Sequence, residues 1–366
     1  MNSFDLPFSD ILEVTLIGTG GGYGESIVVH LGNKQWIIVD SCINPITNVS
    51  LPLEYLKNLG VDLKNDVKLI VCTHWHDDHI QGLSQIIKEC INAKFCYAIA
   101  TDKTKFLQAL SLDYEKAENT ATASSTKEFG KCLYITTERK QQIKYAVCDK
   151  ILYSDFSNEV QVISLSPSEY ALSEYNKEIA TLFNQYASSN LKYDSFLSPN
   201  LRSVVLFIKA GKQRVLLGAD LETVNDKRHG WLNILFESQS IDGKASLFKI
   251  SHHASENGYR SEIFTKLLIE NPISKLTPWN RNIKLPDESM INKYRSHSSQ
   301  LYMTSPVISS KPKKRNKTIE KIINRQKSYK LNEIKFQDGI IRSRIKLAQE
   351  TADWNVSLFG TAFQIN

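Results

Sequence analysis

The 366-residue chain has no apolar run approaching the roughly 18 residues that a membrane span requires. Its first residues, Met1-Asn2-Ser3-Phe4-Asp5-Leu6-Pro7, have no basic stretch leading into an apolar core, so no export signal is expected. Six cysteines (Cys42, Cys72, Cys90, Cys96, Cys132, Cys148) form no C-x-x-C pair. Scattered thiols without an export signal are expected to be reduced and to belong to a cytoplasm. No internal repeat of fixed period occurs. There is no histidine from Ile80 through Leu221.

What is present describes a folded protein. At 42% hydrophobic and 23% charged residues the composition excludes general disorder, and the length suffices for a sizeable core. The net charge of +6 is unevenly placed: Lys311–Lys330 holds nine Lys/Arg against one acid, Glu320, and the remainder is close to neutral. The charge therefore points to a local basic arm rather than to a general nucleic-acid-binding surface.

β-Branched runs bounded by Gly and Asn predict strands at Leu12–Ile17, Ser26–Leu31 and Trp36–Val39, the first two flanking a glycine-rich turn at Gly18–Gly24. Further strands are expected at Val67–Cys72, Phe95–Ile99, Val160–Leu165, Val204–Lys209, Arg214–Leu217, Ala245–Ile250 and Gln300–Thr304, with helices at Leu53–Asn58, Gln81–Cys90 and about Glu169–Tyr186. Residues 101–142 are more polar and read as an insertion carrying some helix. Apolar stretches near Gly339–Ile345 and Asn355–Phe363 are candidate strands. The organisation expected is one large domain over residues 1–310 followed by a basic C-terminal extension over 311–366.

One segment dominates the chemistry, His74-Trp75-His76-Asp77-Asp78-His79, placed directly after the strand Val67–Cys72. Three imidazoles and a carboxylate on one strand-end loop can hold a divalent metal, because His nitrogen and Asp oxygen suit zinc and its neighbours. Asp40, Asp220 and the His252-His253 pair also follow apolar strands. An apolar strand delivering a ligand at its C-terminal end, repeated, is how an α/β sheet builds a site along one edge.

With these residues assembled, the chain resembles the metallo-β-lactamase superfamily. The resemblance rests on Asp40, the H-x-H-x-D-H motif at 74–79, Asp220 in Leu-Gly-Ala-Asp, and Ser-His-His-Ala-Ser at 251–255, in family order over roughly residues 10–305. Within the superfamily it is most similar to the branch of competence-protein hydrolase domains and phosphorylcholine esterases, through the turn Gly18–Gly24, His252-His253-Ala254-Ser255 and Thr277-Pro278-Trp279-Asn280-Arg281. The resemblance implies an α/β fold, an αββα sandwich of two mixed β-sheets flanked by helices. It implies that His74 and His76 bind one metal, that Asp78 and His79 bind a second, that Asp220 bridges both, and that His253 completes the second. His252 is left near substrate or leaving group, with Asp78 and His252 the residues on which catalysis depends. Asp40 would orient a metal-binding imidazole.

The chain departs from the family pattern in one place. The family supplies another histidine for the first metal between the two carboxylate motifs, and here the equivalent strand end is Leu165-Ser166-Pro167-Ser168. Ser166 is a poor zinc ligand. One tight site and a weaker second one are therefore expected, with zinc preferred and manganese or iron as alternatives. His30, His229 and His297 read as structural or solvated. Gly18–Gly24 lacks the lysine and helix of a P-loop and reads as a permissive turn at the site mouth.

Such a site would hydrolyse an ester, amide or phosphoryl centre through a metal-activated water. Phosphodiester hydrolysis is the first reading, as a nuclease or phosphodiesterase, with phosphate backbones meeting Lys311–Lys330. A hydrolase of a lactone, amide or peptide is the second. The third is a degenerate member serving as a binding or scaffold subunit.

Overall fold

β-Branched residues crowd the first forty positions, and the backbone there runs as β1 (Ile11–Gly18), β2 (Glu25–His30) and β3 (Trp36–Val39). The structure is a computed structural model describing residues 5–98, 121–187, 199–281, 283–307 and 337–365. The basic segment Lys311–Lys330 and residues 101–120 of the expected insertion lie outside the described residues.

After β3 come α1 (Leu51–Leu59), β4 (Val67–Cys72), α2 (Asp77–Ile80), α3 (Leu83–Glu89) and β5 (Lys94–Tyr97). The described part of the insertion is a helix, α4 (Ala121–Glu138), and β6 (Lys144–Tyr145), β7 (Lys150–Asp155) and β8 (Val160–Ser164) follow. Next are α5 (Glu169–Ala187) and the hairpin of β9 (Leu206–Ala210) with β10 (Gln213–Leu217). The chain continues through α6 (Gly230–Glu237), β11 (Ala245–Lys249), β12 (Leu268–Leu276) and the short pair β13 (Trp279–Asn280) and β14 (Lys284–Leu285). It ends with α7 (Glu288–Arg295), β15 (Leu301–Met303), β16 (Gly339–Lys346), β17 (Asn355–Gly360) and β18 (Phe363–Gln364).

Among the described residues the strands form two mixed eight-stranded sheets, in the orders β17-β16-β1-β2-β3-β4-β5-β6 and β18-β15-β12-β11-β10-β9-β8-β7. Period-two alternation decides how they stack. In β3, Ile37 and Val39 face the second sheet while Trp36 and Ile38 face helices; in β9, Leu206 and Ile208 face the first sheet while Phe207 faces helices. One core lies between the sheets, around Val29, Leu69, Val71, Leu217 and Leu247. A second packs α1, α3 and α4 on the first sheet through Leu56, Ile86 and Phe129. A third packs α6 and α7 on the second sheet through Trp231, Ile234 and Tyr294. The result is the expected αββα sandwich, each buried Leu- or Ile-sized side chain contributing about 1.5–3 kcal/mol against exposure.

Residues assigned from sequence to the extension 311–366 supply strands to both sheets. β16 pairs antiparallel with β1 from Ile11↔Lys346 to Gly18↔Gly339, and β18 pairs with β15. β12 was not among the strands expected from sequence. It is accommodated by a register shift against β11, with Asn271 at φ +53°.

The pairings β3–β4 and β10–β11 are parallel. Parallel neighbours end at the same edge of their sheet, so the loops leaving β3, β4, β10 and β11 can converge.

Candidate metal centre

Each of those loops places one or more polar side chains. Asp40 follows β3 with a left-handed backbone, φ +59°, held by its own N–H on Val71 O at 2.8 Å. Asp78 and His79 lie on the single turn α2, whose first carbonyl, that of His76, accepts from His79 N and Ile80 N at 3.0 and 3.1 Å. Trp75, between the motif histidines, anchors the loop by packing on Phe129 and Tyr175. Asp220 follows β10. His253 follows β11 on a turn in which His252, His253 and Ala254 take φ of +47°, +52° and +59°. Left-handed non-glycine residues cost on the order of 1 kcal/mol or more each, and such strain gathers at functional sites. Three backbone bonds hold this turn: His252 N to Ala219 O, Ala254 N to Ser251 O and Ser255 N to His252 O, at 2.9–3.0 Å.

These loops bring Asp78, His79, Asp220 and His253 together, all buried, with one donor atom of each within 4.8 Å of the others. Asp78 Oδ2 lies 3.3 Å from His79 Nε2 and 3.1 Å from His253 Nε2; Asp220 Oδ2 lies 3.4 and 3.5 Å from the same two nitrogens. The outer nitrogens of both rings are engaged elsewhere. His79 Nδ1 donates to Asp40 Oδ2 at 2.8 Å, and His253 Nδ1 donates to the Thr277 carbonyl at 3.1 Å. Asp40 is fixed in turn by the Thr73 backbone N–H and hydroxyl, each at 2.7 Å. These bonds set the tautomer of each ring and leave Nε2 facing the cluster.

His74 and His76 stand apart from that set. The His74 ring packs 4.3 Å from His79 and 4.7 Å from His76, centroid to centroid, and its Nε2 is 3.9 Å from Asp220 Oδ2. His76 is half-buried. Ser166 points elsewhere: its hydroxyl donates to Ser203 O at 2.5 Å and accepts from Val205 N at 2.9 Å, tying two strand ends together.

The electrostatics follow from burial and crowding. Burial works against the charged form of Asp78, yet His79 and His253 hold its carboxyl well below the usual range. Burial likewise opposes protonation of His79, but Asp220 and Asp78 push its pKa well above that of free imidazole. His74 goes the other way: burial, then His79 and His76, hold it well below. The donor set fits a divalent cation. His74 Nε2, His79 Nε2 and Asp220 Oδ1 are buried with no hydrogen-bond partner among the described residues, and two carboxylates with two imidazoles are the ligand types zinc takes.

His252 lies at the rim, its side chain 19% exposed. Asn200 Nδ2 donates to Glu222 Oε1 at 2.8 Å and stands 3.1 Å from His252 Nε2, which it therefore meets as a donor. The His252 proton then sits on Nδ1, facing Asn257 Oδ1 at 3.0 Å, with Glu222 Oε1 3.5 Å away. Sequence reading missed Asn200, Glu222 and Asn257, which carry no motif. It also missed Glu25 and Lys249, a buried ion pair touching the cluster. Burial opposes the charge on Lys249, but Glu25 and Asp220 raise its pKa. A charged residue inside each of two apolar strands was the available signal.

Gly18–Gly24 forms a close turn at the mouth. Gly20 and Gly22 have φ of +72° and +63°, and a Cβ on them would strike the Gln337 carbonyl and the Asn280 amide. The other histidines are structural. His30 Nδ1 bonds Ile11 O at 2.8 Å, His229 meets the Tyr170 ring edge-on, and His297 stacks on Phe264. All six cysteines are free thiols. Among the described residues no helix is long and apolar enough to cross a membrane.

Residues 19–107 match the family model of the metallo-beta-lactamase superfamily, a segment containing the glycine turn from Thr19 on, Asp40 and the His74–His79 motif. No curated protein matches the chain. Similar solved structures include the metallo-beta-lactamase fold protein YhfI from Bacillus subtilis, 14% identical over 66% of this chain and 70% of that one, with a TM-score of 0.34. The Rm3 metallo-beta-lactamase is 13% identical over 75% and 78%, with a TM-score of 0.35. A putative metallo-beta-lactamase from Thermotoga maritima is 14% identical over 57% and 79%, with a TM-score of 0.32. The family match supports the superfamily resemblance; nothing in these comparisons singles out the competence-protein or phosphorylcholine-esterase branch.

Proposed function

We propose that the protein is a metal-dependent hydrolase whose substrates are phosphodiesters. The observation that carries this reading is the convergence of Asp78, His79, Asp220 and His253, buried and mutually within 4.8 Å, at one edge of the sandwich. These four would hold one divalent cation tightly, zinc by preference among this donor set, with manganese or iron as alternatives. His74 and His76 would share Asp220 in a weaker second site. When bound, the cation supplies Lewis acidity and makes a water acidic enough to attack at neutral pH.

The chain's own residues do the rest. Asp40 and the Thr277 carbonyl keep His79 and His253 turned inward. His252 is the proposed proton donor to the leaving oxygen through Nε2, an atom that must first gain a proton and be released by the Asn200 amide. Asn200 and Asn257 fix the His252 ring, and Glu222 Oε1 lies 3.5 Å from its Nδ1. A phosphodiester is favoured over a neutral ester or amide by positive charge at the mouth. Exposed Arg281 lies 3.3 Å over the Tyr23 ring, Tyr23 packs on Trp279, and Trp279 packs on His253. This single guanidinium would favour an anionic substrate, although the Asp77 carboxylate that interacts with it offsets part of its charge. The basic run Lys311–Lys330 supports nucleic acid as the larger partner.

The test is a substrate panel with zinc- and manganese-loaded protein: a chromogenic phosphodiester, DNA, RNA, a lactone and a peptide. Hydrolysis of the phosphodiester is expected. Cleavage of lactone or peptide alone would replace this reading with the second hydrolase reading. A folded protein that binds no metal and cleaves nothing would make it a scaffold.

A further inference from the structure

Glu25 and Lys249 form an ion pair whose side chains are 2% and 1% exposed. Two charges buried so deeply are weak evidence of stabilisation, since well-packed apolar residues often do as well or better in their place. The surroundings of the pair give it another use. Lys249 Nζ stands 3.8 Å from Asp220 Oδ1, the carboxylate oxygen opposite the one that meets His79 and His253, and donates to the Ala219 carbonyl at 3.1 Å. Glu25 Oε1, which meets Lys249, lies 3.8 Å from His79 Nδ1. Glu25 Oε2 accepts from the Thr277 hydroxyl, and Thr277 is the residue whose carbonyl takes the His253 Nδ1 proton.

One buried network therefore stands behind three of the four donors: Lys249 behind Asp220, Glu25 behind His79, and Thr277, held by Glu25, behind His253. It joins the two sheets as well, since Glu25 opens β2 in the first and Lys249 closes β11 in the second. The carboxylates of Glu25, Asp40, Asp78 and Asp220 are all buried around these imidazoles, and Lys249 is a buried ammonium in contact with two of them.

We propose that Lys249 and Glu25 are positioning residues of the metal centre: together they pin the two sheets at this edge and aim Asp220, His79 and His253 at a common point. This rests on the metal-hydrolase reading above. Neither residue reaches the reacting atoms; each acts through the residue it backs.

Cobalt(II) is the probe, because its visible spectrum reports the geometry of its ligands, and competition with zinc gives the affinity. It is titrated into wild-type protein, Lys249→Met, Lys249→Arg and the double variant Glu25→Gln/Lys249→Met, with circular dichroism to confirm folding. The double variant removes the Glu25 charge along with its partner and leaves Asp220 facing His79 and His253, so it stays informative where Lys249→Met fails to fold. Expected are affinities about 10–100-fold below wild type for Lys249→Met and for the double variant, the usual loss when a residue behind a ligand is removed, together with an altered spectrum. Lys249→Arg should recover part of both. A folded double variant with wild-type affinity and spectrum would overturn the inference and leave the metal-hydrolase reading standing. Wild-type protein that binds neither cobalt nor zinc would overturn both.

Discussion

Two groups of candidate donors stand at Asp220, and they are unequally built. Asp78, His79 and His253 close around its Oδ2, and both of their imidazoles are backed, His79 by Asp40 and His253 by the Thr277 carbonyl. His74 approaches the same oxygen only to 3.9 Å, His76 is half-buried beside it, and Ser166, at the strand end where an imidazole was sought, binds backbone. The difference shows that a motif delivers ligand types, while a complete site also needs donors brought to the same point by other loops. His74–His79 supplies donors to both halves from six residues; His74 Nδ1 meets the Thr73 hydroxyl at 3.0 Å, so the half at His74 and His76 falls short in donors drawn from other loops and not in support for His74.

The largest effect should come from breaking the complete half. Asp78→Ala is expected to abolish hydrolysis of a chromogenic phosphodiester and remove the tight ion, with circular dichroism unchanged; a variant that keeps its ion would place Asp78 outside the ligand set. Next is His252→Ala, expected to keep its metal while turnover falls about 10²–10⁴-fold, as for loss of a general acid. Metal loss in this variant, with His253→Ala retaining it, would reverse the two roles.

A smaller effect is expected behind the ligand. Asp40→Asn should weaken zinc binding about 10–100-fold, because the amide no longer offers His79 Nδ1 the charged acceptor it has at 2.8 Å. Unchanged affinity would mean that His79 needs no support. The smallest belongs to the incomplete half. Ser166→Ala should leave metal content as it was and cost about 1–3 kcal/mol of stability by chemical denaturation, since the Val205 N–H loses its buried partner. Lost metal would show that the hydroxyl serves the site after all.

The sequence made the strand ends legible because each is an apolar run halted by polar residues. Val67–Cys72 is read at its observed bounds, and Asp40, His74–His79, Asp220 and His252-His253 all fall just past the strands that were expected to carry them. What could not be read depends on pairing across distance. β16 pairs with β1 over more than three hundred residues of chain, so its place in the first sheet is set by tertiary contact and leaves no local mark. Glu25 and Lys249 are legible singly as charges in apolar strands. Their partnership exists only once the two sheets are stacked. The same holds for the ring of Asn200, Glu222 and Asn257 around His252, drawn from three loops.

The inequality of the two halves is tested most directly by counting metal. Protein purified, stripped and reloaded with limiting zinc, then measured by elemental analysis alongside native mass spectrometry, should hold about one tightly bound ion per chain, with a second entering only at higher zinc. Two ions held with equal affinity would contradict this and show that another residue completes the half at His74 and His76.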